Sequence, residues 1–339
     1  GLVCRSGVTC HHVRIHINRI NRIADCDLVL FAEDVEDAAA IALRAVGDEN
    51  LVGLDRTAAG GIVVGGNGVA EERVALLGAV ALERGALRHF VGRGVHRLDA
   101  DRREGFGDVA DADTMRSVLT PQIQSIFHLA AVVSGEAESD FDLGMRINFD
   151  ATRNLLEIAR SNGNCPRIVF ASSVAVFGGD LPQQVLDSTA VTPVGSYGAQ
   201  KVMAELLITD LSRKGFIDGR AIRVPTVSVR PGLPNKAASS FASGIIREPL
   251  NRMPAVCPVA PDTRVWLTSP RSALYNLVHA HEVAGNLLGA SRALNMPGLA
   301  TTVREMVDAL GRVAGKHTVD FIRWREDLAI ARLIRSWPG

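Results

Sequence analysis

RIVFASSVAVFGGDLPQQVLDSTAVTPVGSYGAQKVMAELLITDLSRKG, residues 167–215, sets a nearly unbroken apolar run ahead of a stretch with helical spacing. The run RIVFASSVAVF (167–177) reads as a strand covered on both faces. YGAQKVMAELLITDLSRKG (197–215) predicts a helix stopped by Gly215. The alternation recurs on both sides. SIFHLAAVV (125–133) and RAIRVPTVSV (220–229) are further apolar runs, and FDLGMRINFDATRNLLEIARSNG (141–163) is a second helical stretch. From about Gly60 onward this is the pattern of βαβ units, so the expected class is α/β with a doubly wound, mostly parallel sheet.

Beyond Pro231 the text turns Pro-, Ser- and loop-rich to about Ser272, and HAHEVAGNLLGA (279–290) is helical again. TTVREMVDALGRVAG (301–315) carries a capping box, Thr302 with Glu305, and a terminal Gly315. A smaller, irregular C-terminal lobe is expected there. In residues 1–58 only AEDVEDAAAIALRAVG (32–47) has helical spacing.

The 339 residues include 37 basic and 37 acidic side chains, giving a formal net charge of zero. That balance lacks the basic footprint of a nucleic-acid binder. Five scattered cysteines, Cys4, Cys10, Cys26, Cys165 and Cys257, form no disulfide framework and point to a reducing compartment, the cytoplasm. No window approaches the roughly 18 apolar residues of a membrane span, and GLVCRSGVTCHHVRIH at the start is broken by Arg and His where a secretory segment is apolar. Cys4, Cys10, His11 and His12 do not supply four ligands at a zinc spacing, so no metal is expected. A start at Gly1 and a stop at Trp337-Pro338-Gly339 read as a fragment.

GGIVVGGNGVAEERVALLGAVALERG (60–85) reads as strand, turn and helix, with Gly65, Gly66 and Gly68 where a dinucleotide fingerprint needs a tight turn and close approach to pyrophosphate. Its third position is Glu71, a carboxylate near a helix start where phosphate would sit. A ribose-binding acid is expected after the second strand, at Asp99 or Asp101, with Arg102 and Arg103 favouring a 2′-phosphate instead. Surface charge accounts slightly better for either acid taken singly. Asp108 in GDVAD is placed to meet an adenine amino group or to cap a helix.

Tyr197 and Lys201 stand one turn apart on a single helix face, so the ammonium can stabilise a phenolate. A phenol with pKa near 10 is a usable base only with such help. Ser173 closes a strand at the sheet edge where open α/β folds bind ligands, and its hydroxyl can orient a substrate oxygen or simply satisfy backbone. The amide of Asn148, inside the helix 141–163, can anchor a water or carbonyl beside the lysine, or lie on the helix surface.

Taken in order, FHLAA (127–131), INFDATRNLLE (147–157), FASSVAVFGG (170–179), SYGAQKVMAE (196–205) and IRVPTVSVRPG (222–232) resemble the extended short-chain dehydrogenase/reductases, the nucleotide-sugar epimerase-like branch. The resemblance runs from about Gly60 to Gly339 and is densest from Gly107 to Met296. It implies a Rossmann-like fold and NAD-dependent oxidation of the C2 hydroxyl of a four-carbon sugar acid to the 2-oxo acid, with NADP as the other cofactor. On this resemblance Tyr197 is the base, Lys201 lowers its pKa and holds the nicotinamide ribose, Ser173 orients the hydroxyl and Asn148 supports the proton relay. His128, Ala130 and Ala131 line the cofactor strand, Pro225 and Thr226 fall where nicotinamide and substrate meet, and Gly65 and Gly68 match the first two fingerprint glycines.

The substrate carboxylate also needs a cation, and the candidates are Arg230, Lys236, Arg264 and Arg271, with Arg230 following its strand most directly. The domains implied are an N-terminal extension of unassigned fold (1–58), an NAD-binding domain with the Tyr/Lys helix (59–230), and mainly substrate lobe (231–339), cut before the family's final segment. A homodimer is implied by the family, and neither nucleic acid nor membrane is an expected partner. A nucleotide-sugar epimerase using the same triad and a dinucleotide-binding sensor without turnover are the competing readings.

Overall fold

The computed structural model describes residues 108–230 and 234–338, and the backbone of five upstream strands: β1 (Leu28–Ala32), β2 (Gly78–Glu83), β3 (Ala86–Phe90), β4 (Gly94–Asp99) and β5 (Arg102–Phe106). Downstream the sheet takes up β6 (Ser125–His128), β7 (Arg167–Ser173), β8 (Asp218–Val224) and β12 (Ala293–Asn295). Outside it lie β9 (Thr226–Val227), β10 (Ala255–Cys257), β11 (Arg264–Thr268), β13 (Leu299–Thr302) and β14 (Ile322–Trp324). The nine-stranded order is β12-β8-β7-β6-β1-β2-β3-β5-β4.

The half of the sheet formed by β6, β7, β8 and β12 is parallel throughout, with Phe170 paired to His128 and Ser173 to Val224. This is the Rossmann-like α/β architecture expected from the alternation. In the other half β6–β1, β2–β3 and β4–β5 are antiparallel pairs. The expected strand, turn and helix over 60–85 is corrected at its end, since Gly78–Glu83 is strand. GAVALE is a short apolar run bounded by glycine, and periodicity cannot separate such a run from a helix turn.

Helices cover the parallel half: α1 (Ala112–Val118), α2 (Ser134–Ser139), α3 (Phe141–Gly144), α4 (Ala151–Asn162) and α5 (Ser196–Arg213). The helix expected over 141–163 is interrupted by a π-helical turn, Met145–Asp150, before α4 runs to its stop at left-handed Gly163 (φ 70°). Leu155, Leu156, Ile158 and Ala159 of α4 bury against Ile168 and Phe170 of β7 and against Ala204 and Ile208 of α5. Truncating one such leucine to Ala costs about 2–5 kcal/mol.

A second core joins α6 (Phe241–Leu250), α8 (Val303–Ala314) and α9 (Leu328–Arg335) around Phe241, Ile245, Val265, Val303, Leu310 and Ile334. The capping box is present, Thr302 Oγ1 accepting from Glu305 N–H and Glu305 Oε2 from Thr302 N–H. Two expectations are corrected here. The stretch 231–272 holds α6, β10 and β11 rather than loop alone. The helix placed at 279–290 is α7 (Pro270–Glu282), set by Ser269 as N-cap with Pro270 at its first turn, and it ends where Val283 becomes extended. No helix among the described residues is long and apolar enough to cross a membrane, and these residues hold no cluster of three metal-ligating side chains.

Candidate active site

The carboxyl ends of β6, β7 and β8 converge with the start of α5. Strand β7 stops at Ser173, whose Oγ accepts the Ala175 N–H (3.2 Å) and caps a 3-10 turn over Val174–Val176. Backbone capping of this serine is thus observed, and the bond leaves the hydroxyl hydrogen unspent. The start of α5 packs directly over that turn. A Cβ on Gly198 would collide with the Ala175 carbonyl oxygen, so only glycine next to Tyr197 allows this approach.

Tyr197 is the second residue of α5, where the helix dipole favours negative charge. Gly195, at the N-cap, has no side chain, and Glu138 Oε2 from α2 accepts the Ser196 N–H instead (2.8 Å). Lys201 is buried one turn along. Its Nζ donates to the Ala171 carbonyl (2.9 Å) and lies 4.5 Å from the Phe170 ring centroid and 5.5 Å from that of Tyr197. Two aromatic faces and a carbonyl offset the cost of burying this cation.

Asn148 sits on the π-helical turn and is fully engaged. Its Oδ1 accepts from Val132 N–H (2.7 Å), and its Nδ2 donates to Val132 O (3.1 Å) and to Gln200 Oε1 (2.7 Å). It therefore ties the segment after β6 to α5, and the surface-asparagine alternative is removed. The insertion of one residue into a helical turn is what rotates this side chain inward. Thr152 Oγ1 donates to the Asn148 carbonyl (2.8 Å), so it accepts from His128 Nε2 (2.7 Å), which assigns the His128 proton to Nε2. Burial, and then the charge of Lys201, push the His128 pKa down to about 3, leaving the ring neutral.

Asp108 does not cap the helix that follows it. The N-cap of α1 is Asp111, which accepts from Asp113 N–H. Asp108 Oδ1 accepts from Ala110 N–H (2.9 Å), and Oδ2 lies 3.4 Å from Arg146 Nη1. Ala130 and Ala131 are buried in the segment after β6. Pro225 follows the end of β8 and is buried, and Thr226 comes next on β9, paired with β11. Gly65, Gly66, Gly68, Glu71 and Asp101 fall outside the described residues, as do Cys4, Cys10, His11 and His12, and Asp99 is known only as the last backbone position of β4.

Thr226 and Val174, the residue after Ser173, line a narrow, open pocket with Phe241, Arg264, Trp266 and Trp337. Among the four candidate cations, Arg264 is the one that shares this pocket. Arg230 directs Nη2 to Asn235 Oδ1 (3.4 Å), Lys236 pairs with Glu136 (2.9 Å) and Arg271 is exposed near the start of α7. Gln200, Gly198 and Glu138 were not anticipated. A glutamine beside the lysine on an otherwise apolar helix face was the available signal for the first.

A phenol, an ammonium and a hydroxyl around one strand end are the groups that acid–base chemistry at a hydroxyl or carbonyl carbon requires. The same donor set suits a nicotinamide dinucleotide, since an ammonium can hold ribose hydroxyls and the buried alanines present no bulk. The chain matches the NAD dependent epimerase/dehydratase family over residues 78–293, more than half its length, and belongs to that family. A D-erythronate dehydrogenase of Cupriavidus necator is 53% identical over 241 residues, covering 71% of this chain and 74% of the relative. One of Haemophilus influenzae is 49% identical over 222 residues, covering 66% and 70%. A solved structure described as a nucleoside-diphosphate-sugar epimerase of Agrobacterium tumefaciens superposes with TM-score 0.67 at 44% identity, covering 72% of this chain and 74% of that one.

Proposed function

We propose that this chain is an NAD-dependent dehydrogenase that oxidises the C2 hydroxyl of a four-carbon sugar acid, D-erythronate or a close relative, to the 2-oxo acid. The observation that carries the reading is the placement of Tyr197 and Lys201 at the start of α5 above the end of β7. The names of two relatives at about half identity support the substrate class.

Tyr197, as phenolate, takes the proton from the substrate hydroxyl while Ser173 Oγ donates a hydrogen bond to the same oxygen. Lys201 and the N-terminus of α5 lower the cost of the phenolate. Ala130, Ala131, Pro225, Tyr197 and Lys201 would hold NAD, which accepts the hydride leaving C2. Asp108 is assigned to the adenine amino group, and Gly65, Gly68 and Asp99 to pyrophosphate and ribose. Asn148 keeps the segment after β6 at a fixed distance from α5. Thr226 is assigned to the substrate, and Arg264 takes the carboxylate in place of Arg230, because it shares the Thr226 pocket.

The test is NADH formation from purified protein with NAD and D-erythronate, with L-threonate and a nucleotide sugar in parallel. Multiple turnovers on a four-carbon acid are expected. Conversion of the nucleotide sugar without net NADH would replace this reading with the epimerase, which the Agrobacterium relative's description favours. Cofactor binding without turnover on any of them would leave a sensor. NADP in place of NAD is expected to give slower turnover, and sedimentation of the same sample tests the homodimer.

A further inference from the structure

Glu205 and Arg223 form a buried ion pair that the reaction above does not use. Glu205 lies one turn beyond Lys201 on the same face of α5, and Arg223 stands near the carboxyl end of β8. The guanidinium grips the carboxylate from both sides, Nη2 to Oε2 at 2.8 Å and Nε to Oε1 and Oε2 at 3.1 and 3.2 Å. Ser172 Oγ donates to Glu205 Oε1 at 2.5 Å. Arg223 Nη1 donates to the Asp187 carbonyl (3.1 Å), and the guanidinium lies 5.0 Å from the Phe177 ring centroid. Asp187 Oδ1 in turn accepts the Asn295 N–H of β12 (2.6 Å).

These contacts follow the chain in order. Ser172 adjoins Ser173, Phe177 ends the turn that Ser173 caps, Asp187 lies midway along the connection 178–195, and Glu205 shares a helix face with Tyr197 and Lys201. The whole passage from Ser172 to Glu205, which carries all three acid–base groups, is therefore bonded at its two ends and its middle to one ion pair. Buried pairs of charges seldom add stability over an apolar pair of equal volume. A bidentate fork adds direction, since it fixes both the rotation of α5 and its position along its axis.

We propose that the Glu205–Arg223 pair is a positioning device that sets the register of Tyr197 and Lys201 against Ser173. The role of Tyr197 as base rests on the proposed function, but the register can be read without substrate or cofactor. The chain has two tyrosines, Tyr197 and Tyr275, and Tyr275 is an exposed residue of α7. In a Tyr275→Phe background the ultraviolet absorbance of phenolate reports Tyr197 alone, and Lys201→Met marks the upper end of its titration midpoint.

Glu205→Gln is expected to raise the Tyr197 midpoint by about one pH unit as the phenol loses its alignment with Lys201. A pure field effect has the opposite sign, because removing a carboxylate favours phenolate. Arg223→Lys, which keeps the charge and loses the fork, is expected to raise it too. The double variant Glu205→Gln/Arg223→Met leaves no lone buried charge. It is expected to recover the thermal stability lost by Glu205→Gln while keeping the raised midpoint, and to lower kcat about tenfold to hundredfold with little change in KM for NAD. Midpoints at or below that of the parent in folded variants, with only the melting temperature reduced, would overturn the proposal and leave the pair a structural staple. If Glu205→Gln does not fold, the double variant and Arg223→Lys decide by the same criterion. A parent that turns over no sugar acid refutes the substrate reading only, because the phenol titration still decides the register.

Discussion

The two ends of strands β6, β7 and β8 carry opposite kinds of polar chemistry. At the carboxyl ends Lys201, Tyr197 and Ser173 converge, and one cation is held by a carbonyl and aromatic faces. At the amino ends Arg167, Arg220 and Arg292 all bond to the single carboxylate of Asp218, at 3.0, 3.2 and 3.1 Å. Further donors go to main-chain oxygens, Arg167 to His281 O (2.9 Å) and Arg220 to Val283 O (2.8 Å) and to Asp218 O (2.9 Å), while Arg220 Nε has no hydrogen-bond partner among the described residues. The two carbonyls at positions 281 and 283 mark the end of α7, where the dipole favours cations. A charge cluster tied to one carboxylate and to main-chain carbonyls acts as a staple, whereas dissimilar groups converging on one strand end have the makings of a site.

The same contrast holds for two buried histidines. His128 bonds through Nε2 to Thr152 near the site, and His281 through Nε2 to Ser125 at the opposite end while stacking on Phe127 at 5.1 Å. Neither Nδ1 has a hydrogen-bond partner among the described residues. Burial, reinforced by Arg167 and Arg220, pushes His281 down to about 4, as burial and Lys201 push His128 to about 3. Both rings fold as neutral groups.

The comparison breaks most sharply at Tyr197. Tyr197→Phe is expected to lower kcat about 10²–10⁴-fold with the melting temperature unchanged; equal activity would remove the acid–base site. At the other end Asp218→Ala strands three guanidiniums and is expected to cost about 3 kcal/mol in denaturant unfolding, with kcat per folded molecule unchanged. A large kcat loss there would show that the two ends are coupled.

Acid titration of stability comes next in size. The unfolded chain takes up protons at both histidines below pH about 6.5, whereas the folded chain refuses them. Stability is therefore full above that pH and is lost as pH falls towards about 4 for His281 and about 3 for His128. His281→Asn should flatten the curve by at most about 1.4 kcal/mol per pH unit, and an unchanged slope would contradict the burial argument. The smallest effect is expected far from either end. Thr302→Ala removes half of the capping box and should cost about 1 kcal/mol without altering turnover.

Local chemistry made much of this legible. The strand end at Ser173, the Tyr197–Lys201 face and the Thr302 capping box each depend on residues close in sequence. Less local features were read wrongly or missed. Gly78–Glu83 was expected as helix because a short apolar run has no period of its own. The π-helical turn under Asn148 has no pattern in a single sequence, and the pairing of Asn148 with Gln200 spans 52 positions. Which of the four candidate cations lines a pocket with Thr226 likewise depends on the packing of the second core.

Periodicity and spacing alone determined the α/β class, the parallel pairing of β6, β7 and β8, and that Tyr197 and Lys201 share one helix face. These follow from backbone geometry and hydrophobic patterning over a few turns. Only the tertiary structure decided that Asp108 is not a helix cap, that Arg264 rather than Arg230 enters the pocket, and that Glu205 and Arg223 bind the passage between Ser172 and α5. Each of those outcomes depends on which distant groups share a buried space, where an unpaired polar atom is costly and a paired one holds its partners in place.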